Sequence, residues 1–318
     1  ITCRVLVTQM CLLIASIELP LLSFQDKPEC FRVFCKNRGP RRPPRAALGP
    51  GAAPVGGPVV ARFAGALRSR GIEKGDRVGI AARNSANWII AYMGVIMAGG
   101  CATLLNGWWT GEEMAYGIGL CDCKLVLADA QRAERLEGVE HGAKVVVFEH
   151  GVPSEGLAPV WAAGDTAMTM LGQIGPDDLA TILYTSGSTA HPKGAYSGHL
   201  GVVSGTMNYV CQTAMMLQLL TERGEAPTVQ PSALVAVPLF HVTGEVPLFL
   251  QSFAMGRKLV LMPKWDATNA LELLDREQIT YFVGVPDITT LPLLLFRASM
   301  EGNYQIASIT ALILLVPS

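Results

Sequence analysis

One eleven-residue stretch holds the densest set of groups able to handle phosphate: Tyr184-Thr185-Ser186-Gly187-Ser188-Thr189-Ala190-His191-Pro192-Lys193-Gly194. Tyr184, Thr185, Ser186, Ser188 and Thr189 bear hydroxyls, Gly187 and Gly194 free the backbone, and Lys193 adds a point charge. Hydroxyls and unpaired N–H groups can wrap the non-bridging oxygens of a polyphosphate, and a lysine can neutralise them. The competing reading is a surface turn of ordinary Gly/Ser/Thr composition, because short motifs recur by chance.

Spacing narrows the choice. The commoner phosphate loop is G-x-x-x-x-G-K-[ST]. Here Pro192 stands where its second glycine belongs, and Gly194 where its magnesium-binding hydroxyl belongs. A P-loop NTPase is therefore excluded. The apolar run 179–183 ahead of the stretch reads as a buried strand. The proline-free residues from about 197 to 220 read as a helix. The spacing thus predicts strand, loop, helix, with backbone N–H groups and hydroxyls aimed at an anion.

Other chemistry-bearing residues are sparser. His241 lies in Pro238-Leu239-Phe240-His241-Val242-Thr243-Gly244, and a lone histidine among apolar residues is usually a satisfied core or helix-end group. His199 reads as structural, His191 as exposed, Asp129 as a helix cap, and Trp108-Trp109 as packing at a sub-domain edge. Eight cysteines show no CxxC pair and no zinc-ligand spacing, so they read as reduced, mostly buried thiols of an intracellular, cytoplasmic protein. A net charge of −1 gives no electrostatic footprint for nucleic acid.

The chain of 318 residues is half hydrophobic and only 16% charged, as expected when helices cover both faces of a sheet. Residues 1–58 read as an unassigned leader or linker. Their apolar run 5–24 is interrupted by Gln9 and Glu18, which argues against a membrane span, and 38–58 have the Pro/Gly/Ala/Arg composition of disorder. From residue 59 helical and strand patterns alternate. Val60, Phe63, Ala64 and Leu67 have helical spacing, and 77–81, 101–105, 124–128 and 143–148 read as strands. Asn84 and Ser85 can cap a helix, and Thr110 to Glu113 has capping-box spacing. A second set follows: strands near 233–237, 258–262, 281–283 and 309–315, with helices over 244–253, 268–277 (Leu271 and Leu274 inward) and 286–300. The pattern is α/β, with two sub-sheets built from βαβ units.

Tyr-Thr-Ser-Gly-Ser-Thr-x-x-Pro-Lys-Gly resembles the signature of the adenylate-forming superfamily, which includes acyl-CoA synthetases, firefly-type luciferases and adenylation domains of peptide synthetases. Gly75-Asp76-Arg77-Val78, Asn84-Ser85, Trp88, Ala98-Gly99-Gly100, Leu105-Asn106 and Leu127-Ala128-Asp129 resemble the family's N-terminal sub-domain. Pro238 to Gly244 resembles its substrate-pocket motif, and Val283-Gly284-Val285-Pro286 a later one. The resemblance implies two βαβ-type sub-domains with mostly parallel sheets, in an incomplete adenylation domain over 59–318 that lacks the C-terminal domain. By the same resemblance, Thr185, Ser186, Gly187, Ser188, Thr189 and Lys193 would bind the β- and γ-phosphates of ATP with Mg²⁺. Phe240, His241 and Gly244 would lie beside a carboxylic-acid substrate, with Lys193 and His241 as the catalytic groups. Coenzyme A would accept the acyl group; a carrier protein as acceptor and a non-catalytic remnant are the alternatives.

The chain departs from the family at Ala190, where glycine is usual, at Asp287, where threonine is usual, and at 314–318, where a glycine-rich turn is expected. With Ile1 first and an apolar run near the end, the chain reads as a fragment, and we expect it to be inactive alone.

Overall fold

The computed structural model describes residues 57–162, 174–185 and 192–283, together with strands β1 (Arg32–Phe34) and β2 (Ala52–Pro54). Helix α1 (Gly57–Ser69) buries Val60, Phe63, Ala64 and Leu67, the four residues its spacing selects. The chain then turns through Gly71, whose φ of +81° is left-handed and suits a residue without Cβ.

Strand β3 (Arg77–Ala81) leads to α2 (Ala86–Met97). Every residue of α2 is buried, so its apolar character on all sides matches a central position. Ser85 caps it, its Oγ accepting from the Trp88 N–H at 3.0 Å. Strand β4 (Cys101–Leu104) is followed by α3 (Gly111–Leu120), opened by a complete Thr110/Glu113 capping box. Next come β5 (Cys123–Asp129), α4 (Ala130–Leu136), β6 (Lys144–Phe148) and the single turns α5 (Pro153–Gly156) and α6 (Ala158–Trp161).

Strand β7 (Leu179–Thr185) pairs antiparallel with β8 (Lys193–Gly198), and only then does α7 (His199–Glu222) begin. The strand–loop–helix expectation is thus corrected to a β-hairpin followed by a helix. Lys193 is accordingly the first residue of a strand and lies six residues ahead of the helix. Leu179–Thr185 has only its β4 side filled by a parallel neighbour, and β8 completes the other side.

The remaining elements are β9 (Ser232–Val235), a π-helical segment (Gly244–Leu250), α8 (Gln251–Met255), β10 (Lys258–Leu261), α9 (Ala267–Arg276) and β11 (Tyr281–Val283). Pro247 lies inside the π-helical segment, where its missing N–H removes an ordinary i→i−4 bond and favours the wider turn. In α9 the inward residues are Ala270 and Leu273; Leu271 is exposed and Leu274 only half-buried, a rotation of the expected face. The expected elements at 286–300 and 309–315 lie outside the described residues.

Two mostly parallel sheets result, with strand orders β6-β5-β3-β4-β7-β8 and β11-β9-β10-β1-β2; β8 and β2 are the antiparallel members. One core passes from Ile80 and Leu104 in the first sheet, through Trp88, Tyr92 and Phe249, to Val235 and Leu261 in the second. No helix among the described residues is long and apolar enough to cross a membrane.

Candidate functional site

The carboxyl ends of β3, β4, β5, β7 and β9 deliver the candidate residues. In open α/β sheets, ligands bind in the crevice outside those ends. At the end of β7, Thr185 is the cross-strand partner of Lys193, the first residue of β8. Partners in an antiparallel ladder point to one face with Cβ atoms about 5 Å apart, so the Thr185 hydroxyl and the exposed Lys193 ammonium share a face. Ser186, Gly187, Ser188, Thr189, Ala190 and His191 lie outside the described residues.

Tyr184 points the other way, as strand alternation requires. Its hydroxyl donates to the Gly117 carbonyl at 2.6 Å and lies 3.0 Å from Cys121 Sγ. Burial pushes its phenol well above the ordinary range. Tyr184 is therefore a packing residue, and the loop's hydroxyl count drops by one. Gly194 lies across from it: a Cβ there would meet Cys121 Sγ and Ile182 Cγ2 at 3.4 and 3.3 Å.

The second motif forms a tight turn after β9. The N–H of His241 donates to the Pro238 carbonyl, and the N–H groups of Gly244 and Glu245 both donate to the His241 carbonyl. A Cβ on Gly244 would overlap the Pro238 carbonyl oxygen, so the turn requires glycine there. His241 is exposed, and its Nδ1 accepts from the Thr243 N–H at 3.3 Å. Phe240 is half-buried, edge-on to Trp108 at 5.4 Å between ring centroids.

Trp108 and Trp109 tie the two motifs together. Trp109 meets Tyr184 edge-on at 4.9 Å, while Trp108, 69% exposed, meets Phe240. Adjacent Cα atoms are about 3.8 Å apart, so hairpin and turn flank one dipeptide. The reading of these tryptophans as edge packing holds for Trp109 and misses the exposed face of Trp108.

Asn84 clasps the same turn. Ser85 is the helix cap, and Asn84 instead donates to the carbonyls of Val237 (2.8 Å), Val235 (3.3 Å) and Met262 (3.4 Å) while accepting from Leu239 N–H (2.9 Å). Asp129 caps α4 as its position predicts. It also accepts from the Arg83 N–H and pairs with the buried Arg132 at 3.1 Å. Arg132 in turn donates to the Gly107 carbonyl at 2.8 Å and so braces the loop carrying Trp108. Burial works against the Asp129 charge, yet the hydrogen bond from His150 and the Arg132 charge hold its carboxyl below the usual range.

Among the described cysteines, Cys101 and Cys123 are buried and their thiols are pushed up to about 12 by burial. Cys121 is half-buried and Cys211 exposed. His199 is buried, as its structural reading expects, and burial lowers its pKa. Among the described residues no group of three His, Cys, Asp or Glu side chains is placed to hold a metal ion.

Residues 59–310 match the AMP-binding enzyme family. Similar curated proteins include 4-coumarate–CoA ligase 3 of Arabidopsis thaliana, 24% identical over 254 residues, spanning 79% of this chain and 43% of that protein. Another is the long-chain-fatty-acid–CoA ligase of Bacillus subtilis (strain 168), 26% identical over 257 residues, with 71% and 44% covered. Among solved structures, ATP-bound MatB from Rhodopseudomonas palustris aligns with a TM-score of 0.59 at 27% identity, over 74% of this chain and 44% of that one. The o-succinylbenzoate CoA synthetase MenE from Bacillus subtilis, in complex with AMP, aligns at 0.58 and 23% identity, over 76% and 56%, a likeness of fold alone. The chain thus spans less than half the length of the curated relatives it matches.

Proposed function

The chain belongs to the AMP-binding enzyme family, and from that premise we propose that its hairpin and its His241 turn are two sides of one adenylation site. In the complete protein a substrate carboxylate oxygen attacks the α-phosphorus of ATP in line. The bond to pyrophosphate breaks, and pyrophosphate leaves with its electron pair. Coenzyme A thiol then attacks the acyl-adenylate carbonyl, and AMP departs. The first step asks for positioning and charge neutralisation more than covalent chemistry from the protein.

Within that reading Thr185, Ser186, Gly187, Ser188, Thr189 and Lys193 hold the β- and γ-phosphates, and Phe240, His241 and Gly244 form the acyl side. The single observation that supports it best is the register of Thr185 on Lys193, which puts a hydroxyl and a cation on one face at the sheet's carboxyl edge. The similarity to two CoA ligases favours coenzyme A over a carrier protein as acceptor. Mg²⁺ enters only as the nucleotide's own counter-ion, and a cytoplasmic setting belongs to the same reading.

The test is acid-dependent exchange of pyrophosphate into ATP, on a chain continued to the full length of its relatives. Exchange is expected with a 4-hydroxycinnamic or a long-chain fatty acid, and none without acid. Absence of exchange with every acid tried would leave the non-catalytic remnant as the better reading.

A further inference from the structure

Glu245 is the one acidic residue in the run Val242–Leu250, and it is 1% exposed. It follows Gly244 directly, and its backbone N–H closes the His241 turn. The side chain leaves the turn and enters the core between the two sheets. There Tyr92 of α2, itself 2% exposed, donates its hydroxyl to Glu245 Oε1 at 2.7 Å. Thr181 of β7 lies close enough to interact with both the carboxyl and the Tyr92 hydroxyl, yet meets neither in good hydrogen-bond geometry. Its Oγ1 and Glu245 Oε2 are consequently buried polar atoms without a partner among the described residues.

The surroundings decide the charge. Cys101 on β4 is the other titratable group near the pair, and it is a buried thiol. No lysine, arginine or histidine among the described residues forms an ion pair with Glu245. An isolated carboxylate in such a place pays a large desolvation penalty, and a carboxyl that cannot pair takes up a proton instead. Burial accordingly raises its pKa.

We infer that Glu245 is a positioning residue held as the neutral acid, a clasp that accepts from Tyr92 and offers its own proton toward Thr181. It ties the turn bearing Phe240 and His241 to Tyr92 of α2, with Thr181 of the strand that ends at Thr185 alongside. The inference rests on the proposed function for what the turn does, and not for the state of the proton.

The sign of the pH dependence follows from linkage. A carboxyl whose folded pKa lies above its unfolded value contributes stability that is fully present below the unfolded value, and that contribution is lost as pH rises through the folded one. Glutamine reproduces the neutral acid, with an oxygen for Tyr92 and an N–H for Thr181, but it does not titrate. Thermal unfolding of the chain and of its Glu245→Gln variant, from about pH 5 to pH 8, tests the clasp. The midpoint of the variant is expected to rise relative to wild type as pH increases, and Glu245→Leu is expected to melt below Glu245→Gln at every pH. A difference between wild type and Glu245→Gln that stays constant with pH overturns the neutral acid. A leucine variant as stable as the glutamine variant overturns the clasp. Should Glu245→Leu fail to fold, the glutamine comparison alone decides. Glu245→Gln leaves every group of the hairpin in place, so a chain that binds no ATP counts against the proposed function and not against this inference.

Discussion

At the scale of single residues, Asp129 and Arg132 show how little of a polar network is visible from spacing. The helix cap was legible, because an aspartate before a short helical run is a cap signal. The pair with Arg132 was not, because burial of an arginine beneath a loop is a tertiary event; here both side chains are 2% exposed or less. Replacing Asp129 by asparagine leaves the guanidinium buried without a counter-charge, a change that costs about 3–5 kcal/mol in such settings. We expect a denaturation midpoint shifted accordingly. The pH dependence has the opposite sign to that of Glu245. Asp129 is held below its ordinary pKa, so its contribution is present above the unfolded value and is lost as pH falls through the folded one. Acid titration of stability should therefore be steeper for wild type than for Asp129→Asn; equal slopes would contradict the pairing. Glu245 carried a signal that sequence reading passed over, an acidic residue in an otherwise apolar run.

At the scale of elements, most helices and strands of the described region announced themselves through period and capping, as in α1, α2 and α3. The hairpin did not. Lys193-Gly194-Ala195-Tyr196-Ser197-Gly198 has two glycines and no apolar alternation, and it is a strand only because β7 needs a partner at the sheet edge. That difference moves the proposed anion site from a helix terminus to a pair of strands, with Lys193 fixed by register. Asn84 illustrates the reverse case: its type suited a cap, and the fold used its amide to join β3 to the turn after β9. Asn84→Ala would strip partners from the Val237 carbonyl and the Leu239 N–H, both buried, at about 1–3 kcal/mol for each group left unsatisfied. A urea midpoint lowered to that extent, with the slope unchanged, is expected. A variant indistinguishable from wild type would show that the turn is held elsewhere.

At the scale of the molecule, the order of motifs was legible because the parallel α/β pattern confines ligand groups to the carboxyl ends of strands. Which motifs meet was not, because that depends on the Trp108-Trp109 bridge and on buried clasps drawn from distant parts of the chain. The central claim is that the β7–β8 hairpin grips the phosphates of ATP through Lys193. Titrating ATP into this chain and into its Lys193→Ala variant tests it most directly. A charged hydrogen bond is worth about 1.5–3 kcal/mol, so binding should weaken at least tenfold in the variant, with its thermal midpoint in the absence of ATP unchanged because the side chain is exposed. Equal affinity in the two proteins would contradict the account.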